Sequence, residues 1–140
     1  MRILPVEPRH IPALSQLAMA TFTETFAHLY PPEDLSAFLE KSYAPEKLVA
    51  EIADPARAGE LKRLYVHSSQ QGKGLGRMLM GVALGWLDEI YGQAPQWIGV
   101  WSENHKAQAL YRSYDFEQVG AYQFPVGQTL DDEFILRRQP

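Results

Sequence analysis

The feature that most restricts the fold of this chain is a glycine-rich turn, Gln71-Gly72-Lys73-Gly74-Leu75-Gly76, set between two segments of different periodicity. Before it, Leu64 and Val66 alternate with Tyr65, the period-2 pattern of a strand spanning Glu60 to His67. After it, Leu75, Met78, Leu79, Val82, Trp86 and Ile90 recur at helical spacing. A strand that passes into a helix through a short turn starts an α/β layer arrangement. Gly81 and Gly85 sit inside the helix at about 1 kcal/mol each relative to alanine, and are expected to let it pack closely on a sheet. Trp97 to Trp101 is a short, nearly continuous apolar strand, expected to be buried on both faces. A helix carrying Ala107, Leu110, Tyr111 and Tyr114 follows, with Asn104 in position to cap it. Val119–Phe124 and Glu133–Arg137 then form an antiparallel pair joined around Gly127.

Upstream of the turn the chain reads as mostly helical. Residues 2–7 suggest a short strand limited by Pro5. Ile11, Leu14, Ala18, Phe22, Phe26 and Leu29 predict a helix from Arg9 to Leu29 that Pro31-Pro32 stops. Two shorter helices follow, one carrying Leu35, Phe38 and Leu39, the other starting at Pro45 and ending near Asp54-Pro55. At 140 residues this is expected to be one domain, 1–140, with a central and partly parallel sheet. The net charge of -4 argues against a general nucleic-acid binder. The absence of cysteine removes disulfides, thiolate metal sites and a cysteine nucleophile. No apolar run approaches the ~18 residues that span a bilayer, and no signal-peptide core is present, so a cytoplasmic protein without a membrane partner is expected.

Glycines at 72, 74 and 76 leave backbone amides uncovered and permit positive φ. Ahead of a helix, such amides and the helix dipole make an anion site suited to a pyrophosphate, with Lys73 and Arg77 adding charge. The same glycines also read as a flexible turn and nothing more. A Walker loop is excluded, because no Gly-x-x-x-x-Gly-Lys-Ser/Thr is present. The dinucleotide pattern Gly-x-Gly-x-x-Gly is excluded as well, because Arg77 and Leu79 stand where its last glycine would fall.

The pattern that fits is Gln/Arg-x-x-Gly-x-Gly/Ala from Gln71, and here the chain resembles the GNAT superfamily of acyltransferases. A second block, Asn104-His105-Lys106-Ala107 with Ala109-Leu110-Tyr111 and Phe116, is similar to that family's Asn-x-x-Ala-x-x-Leu-Tyr…Gly-Phe pattern. Thr21-Phe22 through Phe26, Glu33-Asp34-Leu35, Gly99-Val100-Trp101 and Phe124 through Gly127 look more narrowly like its PaiA-type spermidine/spermine acetyltransferase branch. The resemblance implies a three-layer α/β/α acyl-CoA N-acyltransferase fold with a mixed sheet. It implies acetyl-CoA as acyl donor and a small-molecule, polyamine-like amine as acceptor.

Carried over residue by residue, the resemblance puts the coenzyme A pyrophosphate on Gln71, Gly72, Lys73, Gly74, Leu75, Gly76 and Arg77. Backbone groups of Leu64 and Val66 would hold the pantetheine arm and the acyl carbonyl, and Asn104 would contact the cofactor. Tyr111 matches the family's general acid; with a phenol pKa of about 10 it stays protonated at neutral pH and can donate to a departing thiolate. By spacing alone Tyr111 reads as a core aromatic, and Asn104 also as a plain N-cap. Phe22, Phe26 and Tyr30 would border the acceptor by analogy, but read as core on spacing. Glu24, His28, His67 and Glu103 are candidate bases, none singled out.

Two departures from the family stand out. Asp115 replaces the glycine before Phe116, a position that favours a left-handed conformation. Only Asp54 to Gly59 connects the third helix to the strand at Glu60, too few residues for the antiparallel pair the family places there. Either the chain carries a deletion, or a segment is missing from the sequence, or a partner, most simply a second copy in a homodimer, covers the exposed edge. The competing function is an acyl-CoA-binding or regulatory module without catalysis.

Overall fold

The structure is a computed structural model, and it describes residues 3–53, 60–92 and 94–139. The short connector 54–59 therefore lies outside the described residues. The chain divides into two compact units, one built on the N-terminal helices with 65–75 and 126–129, the other on 60–64, 76–125 and 130–139.

In the first unit a 3-10 turn, Pro8–His10, leads into α1 (Ile11–Phe26), followed by the turn Ala27–Leu29, α2 (Pro32–Tyr43) and α3 (Pro45–Ala53). Prolines at the first or second position of α1 and α2 occupy sites whose N–H has no helical partner. The core is aromatic: Phe22 meets Phe38 at 4.7 Å and Phe26 at 4.6 Å between centroids, and stacks on Tyr30. The buried Ser15 hydroxyl donates to the carbonyl of Tyr43 at 2.6 Å, joining α1 to the end of α2. Tyr43 and Tyr65 share a hydrogen bond between their hydroxyls at 2.5 Å. The turn at Gly127 approaches Asp34 of α2, whose carboxylate accepts from the amide of Gln128 at 3.2 Å. A Cβ at 127 would collide with Asp34, and φ is +59°, so only glycine fits there.

The second unit is built on three strands, β1 (Gln96–Trp101), β2 (Glu117–Val126) and β3 (Thr129–Arg138), in the order β1-β3-β2. β1 and β3 pair antiparallel, with Ile98 opposite Leu136, Gly99 opposite Ile135 and Trp101 opposite Glu133. The helices are α4 (Leu75–Tyr91) and α5 (His105–Arg112). Met80, Leu84 and Leu87 of α4, Ile98 and Val100 of β1, Tyr111 of α5, Phe116 and Leu136 form the core. A polar clamp closes one end: the buried Gln96 donates to Asp88 Oδ1 at 2.7 Å and accepts from Arg138, which also pairs with Asp88 at 3.2 Å.

Four sequence expectations are corrected. Residues 3–7 form no strand, because no ladder neighbour exists for them among the described residues and Pro5 has no N–H to donate. Glu60 to His67 is extended but not a strand. Its parallel pairing begins with Glu60 beside Trp97 and the amide of Leu61 on the Trp97 carbonyl at 3.0 Å, and goes no further. With no pairing on its other edge among the described residues, the segment is held instead by Leu61 and Leu64 against the core. β1 is buried on one face only, since Trp97 and Gly99 are exposed.

The fourth correction concerns α4. The face marked by its helical periodicity points away from the core: Met78, Val82, Trp86 and Ile90 are 42–55% exposed. The helix is apolar almost all round, so periodicity could not say which arc faces inward. Met80, Leu84 and Leu87, at i, i+4 and i+7, do so. Gly81 and Gly85 are exposed and nothing lies within 4 Å of a Cβ placed on either, so they serve no sheet packing.

Candidate functional site

The glycine turn is built locally. A 3-10 turn over Ser68–Gln70 is capped by His67, whose Nδ1 accepts from the Ser69 amide at 3.2 Å. The Gln71 side chain reaches back and donates to the Val66 carbonyl at 3.1 Å, so the first residue of the motif braces the end of the extended segment. Gly72 and Gly74 both take positive φ, +76° and +78°, as the motif requires. Gly76 does not; it lies in the first turn of α4, where its role is the absence of a side chain.

These conformations leave the loop amides open. Among the described residues none of the backbone amides of Gly72 to Gly76 donates a hydrogen bond. A Cβ on Gly72, Gly74 or Gly76 would meet nothing within 4 Å, so there is room beside each amide. The first turn of α4 contains no acidic residue, and the cationic Arg77 is exposed there. The Lys73 ammonium bonds the Gln70 side chain at 2.8 Å while remaining at the surface. Unsatisfied amides, a helix N-terminus and two cations without a carboxylate are the donor set an anion needs. The residues present therefore fit the pyrophosphate of coenzyme A.

The second block is placed by α5. Asn104 is its N-cap, with Oδ1 accepting from the Ala107 amide at 3.1 Å. The buried Gln108, not singled out by the sequence, donates to the carbonyls of Trp101 at 3.2 Å and Ser102 at 2.7 Å, fastening α5 to the end of β1. At its other end, the Tyr114 hydroxyl donates to the Arg77 carbonyl at 3.3 Å. That bond ties the turn after α5 to the first turn of α4. Tyr111 is 9% exposed, packed edge-on to Phe116 within the core. Leu64 packs on the same core, and Val66 is half-buried. Asp115 adopts φ +65°, the left-handed conformation expected where the family has glycine.

The candidate bases are dispersed. Glu24 and His28 are exposed, Glu103 pairs loosely with the exposed His105 at 3.7 Å, and His67 serves the 3-10 turn. Phe22 and Tyr30 are buried in the aromatic core of the first unit. The sequence missed Glu133, which is half-buried on β3 and hydrogen-bonded to Tyr122 of β2. Its only sequence signal is Gly99, a glycine in the middle of an apolar strand. Among the described residues no group of His, Asp and Glu could hold a metal ion, and no helix is long and apolar enough to cross a membrane.

Comparison with known proteins identifies the family. Residues 11–116 match the acetyltransferase (GNAT) family. The chain is similar to an uncharacterised N-acetyltransferase from the pepI 3′ region of Lactobacillus delbrueckii subsp. lactis, 27% identical over an aligned length of 168 residues, covering 99% of this chain and 96% of that protein. Among solved structures, the PaiA N-acetyltransferase of Thermoplasma acidophilum in complex with coenzyme A superposes with a TM-score of 0.77 at 20% identity, covering 99% of this chain and 98% of the other. The ribosomal-protein-S18-alanine N-acetyltransferase of Escherichia coli gives 0.71 at 18% identity, with 99% and 92% covered.

Proposed function

This chain belongs to the GNAT family of acetyltransferases, and from that premise we propose that it N-acetylates a small primary amine of polyamine type. It is an acyltransferase whose acyl donor is acetyl-CoA. In the proposed assignment the amides of Gly72 to Gly76, with Gln71, Lys73, Leu75 and Arg77, hold the pyrophosphate of the donor. Asn104 contacts the donor while capping α5. Backbone groups of Leu64 and Val66 receive its pantetheine arm and acyl carbonyl. Tyr111 is the acid that protonates the departing thiol.

The observation that carries this reading is the open set of loop amides ahead of α4, with the turn after α5 tied to the first turn of that helix through Tyr114 and Arg77. A phenol, with a reference pKa of about 10, can serve as an acid at neutral pH. The polyamine-type acceptor rests on the residues that resemble the PaiA-type branch, Thr21-Phe22 through Phe26, Glu33-Asp34-Leu35, Gly99-Val100-Trp101 and Phe124 through Gly127. The alignment with the Lactobacillus relative supports the inference that this chain lacks a segment: 168 aligned positions against 140 residues leave at least 28 without a counterpart. A homodimer and a cytoplasmic setting belong to the same proposal, and sedimentation velocity tests the first.

The functional test is release of free thiol from acetyl-CoA across a panel of putrescine, spermidine, spermine and an alanine-led peptide. Turnover with the polyamines in preference to the peptide is expected. Turnover of the peptide alone would replace the acceptor class, and coenzyme A binding without any turnover would remove the polyamine reading.

A further inference from the structure

Resting on the acceptor reading above, we propose that Glu133 is the base that takes the proton from the acceptor ammonium, with Tyr122 as its positioning residue. The argument starts from the two faces of β1. Ile98 and Val100 point into the core that holds Tyr111. Gly99, between them, opens on the other face. There the Glu133 carboxyl of β3 lies directly over the Gly99 backbone, where a Cβ would collide with it. The Tyr122 hydroxyl stands 3.8 Å from the same point and is hydrogen-bonded to Glu133. The missing side chain at 99 is what lets this carboxyl lie across the strand. The acid candidate and this carboxyl thus flank one three-residue stretch of β1 from opposite sides.

A primary amine arrives protonated at neutral pH, with a pKa near the ~10.4 of lysine, and has no lone pair to attack with. A carboxylate beside it attracts the cation and accepts its proton. The steps balance as follows. The N–H proton passes to a Glu133 oxygen, and the freed lone pair forms the C–N bond. The C–S bond breaks, the sulfur takes a proton from Tyr111, and the second N–H proton, lost as the amide forms, returns Tyr111 to the phenol through solvent while the Glu133 proton leaves to water. Burial raises Glu133 above the ordinary carboxylate range, which makes it a better acceptor. The Tyr122 hydrogen bond opposes that shift and the nearby Glu60 carboxylate adds to it. Tyr122 itself is pushed up to about 12 by burial and by Glu133 and Glu60, so it remains a donor. Charged groups at alternating positions along β3 include Asp131, two residues before Glu133, and Arg137, which lies over Trp97 at 5.8 Å.

The test uses the full chain with acetyl-CoA and the amine panel, following kcat/KM against pH. Glu133→Gln is expected to lower kcat/KM about 100-fold or more at pH 7 and to recover progressively as pH rises toward about 10, where the neutral fraction of the amine becomes large, with coenzyme A affinity unchanged. Tyr122→Phe removes the interaction that lowers Glu133, so the acidic limb of the profile should move to higher pH. Glu133→Asp should restore part of the rate lost in Glu133→Gln. A Glu133→Gln enzyme within about 3-fold of the parent with an unshifted profile would overturn the assignment. Calorimetric titration with spermidine separates this inference from the broader one. Spermidine binding that depends on Glu133 in a protein without turnover would sink the transfer to polyamines and keep Glu133 as the amine site. Spermidine binding that is absent, or indifferent to Glu133→Gln, overturns it.

Discussion

Replacing Gly81 and Gly85 of α4 together with alanine should stabilise the protein. Both glycines are exposed inside a seventeen-residue helix, Leu75–Tyr91, and a Cβ at either position meets nothing within 4 Å. Because the added methyl groups touch no other part of the chain, only intrinsic helix propensity decides the effect, and alanine is favoured over glycine by about 0.8–1.0 kcal/mol per site. The pair therefore contributes about 2 kcal/mol. For a chain of this length the unfolding entropy near the midpoint is about 0.3 kcal/mol/K, so Tm should rise by about 7 °C. Urea unfolding at two protein concentrations, followed by circular dichroism, measures the change; the midpoint should move up with an unchanged slope. A fall in stability would refute the reasoning. It would mean that the added methyl groups strike protein, as they would if a second copy of the chain packed on this face.

Other substitutions test single elements. Asn104→Ala removes the cap on α5 and should cost about 1 kcal/mol in the same unfolding assay; as Asn104 is also assigned to the donor site, coenzyme A affinity should fall too. Tyr111→Phe should lower kcat in the thiol-release assay while leaving coenzyme A affinity close to the parent value. Asp88 is held below the ordinary carboxylate range, chiefly by the Gln96 hydrogen bond; burial opposes this, and the hydrogen bond and charge of Arg138 add to it. A depressed pKa stabilises the fold above the unfolded-state value of about 3.9, and the contribution is lost as pH falls through the folded-state value. Asp88→Asn should therefore be less stable than the parent at pH 7, with the gap closing as pH falls below the unfolded-state value of about 3.9.

The helices were legible because prolines and caps mark their ends. Pro31-Pro32 ends the first helical stretch, Asn104 caps α5, and Asp115 takes the left-handed conformation its place requires. The glycine turn was legible for the same local reason, with Gly72 and Gly74 at positive φ. What depends on neighbours was not. The inward arc of α4 could not be chosen when both arcs are apolar. The segment from Glu60 to His67 has strand periodicity, yet pairing needs a second edge that its own residues cannot supply. Glu133 became visible only once β3 lay beside β1 and brought a distant carboxyl onto Gly99.

The central claim, that the open amides of the glycine turn receive the donor's pyrophosphate, is tested most directly by calorimetry with two ligands. Coenzyme A carries the pyrophosphate and pantetheine does not. Alanine at both Gly72 and Gly74 meets no neighbouring atom but disfavours the positive φ on which the open amides depend. The parent should bind coenzyme A much more tightly than pantetheine, and the double variant should lose at least 10-fold in coenzyme A affinity while its pantetheine affinity stays the same. Equal affinity of the parent for both ligands, or undiminished coenzyme A binding by the double variant, would contradict the claim.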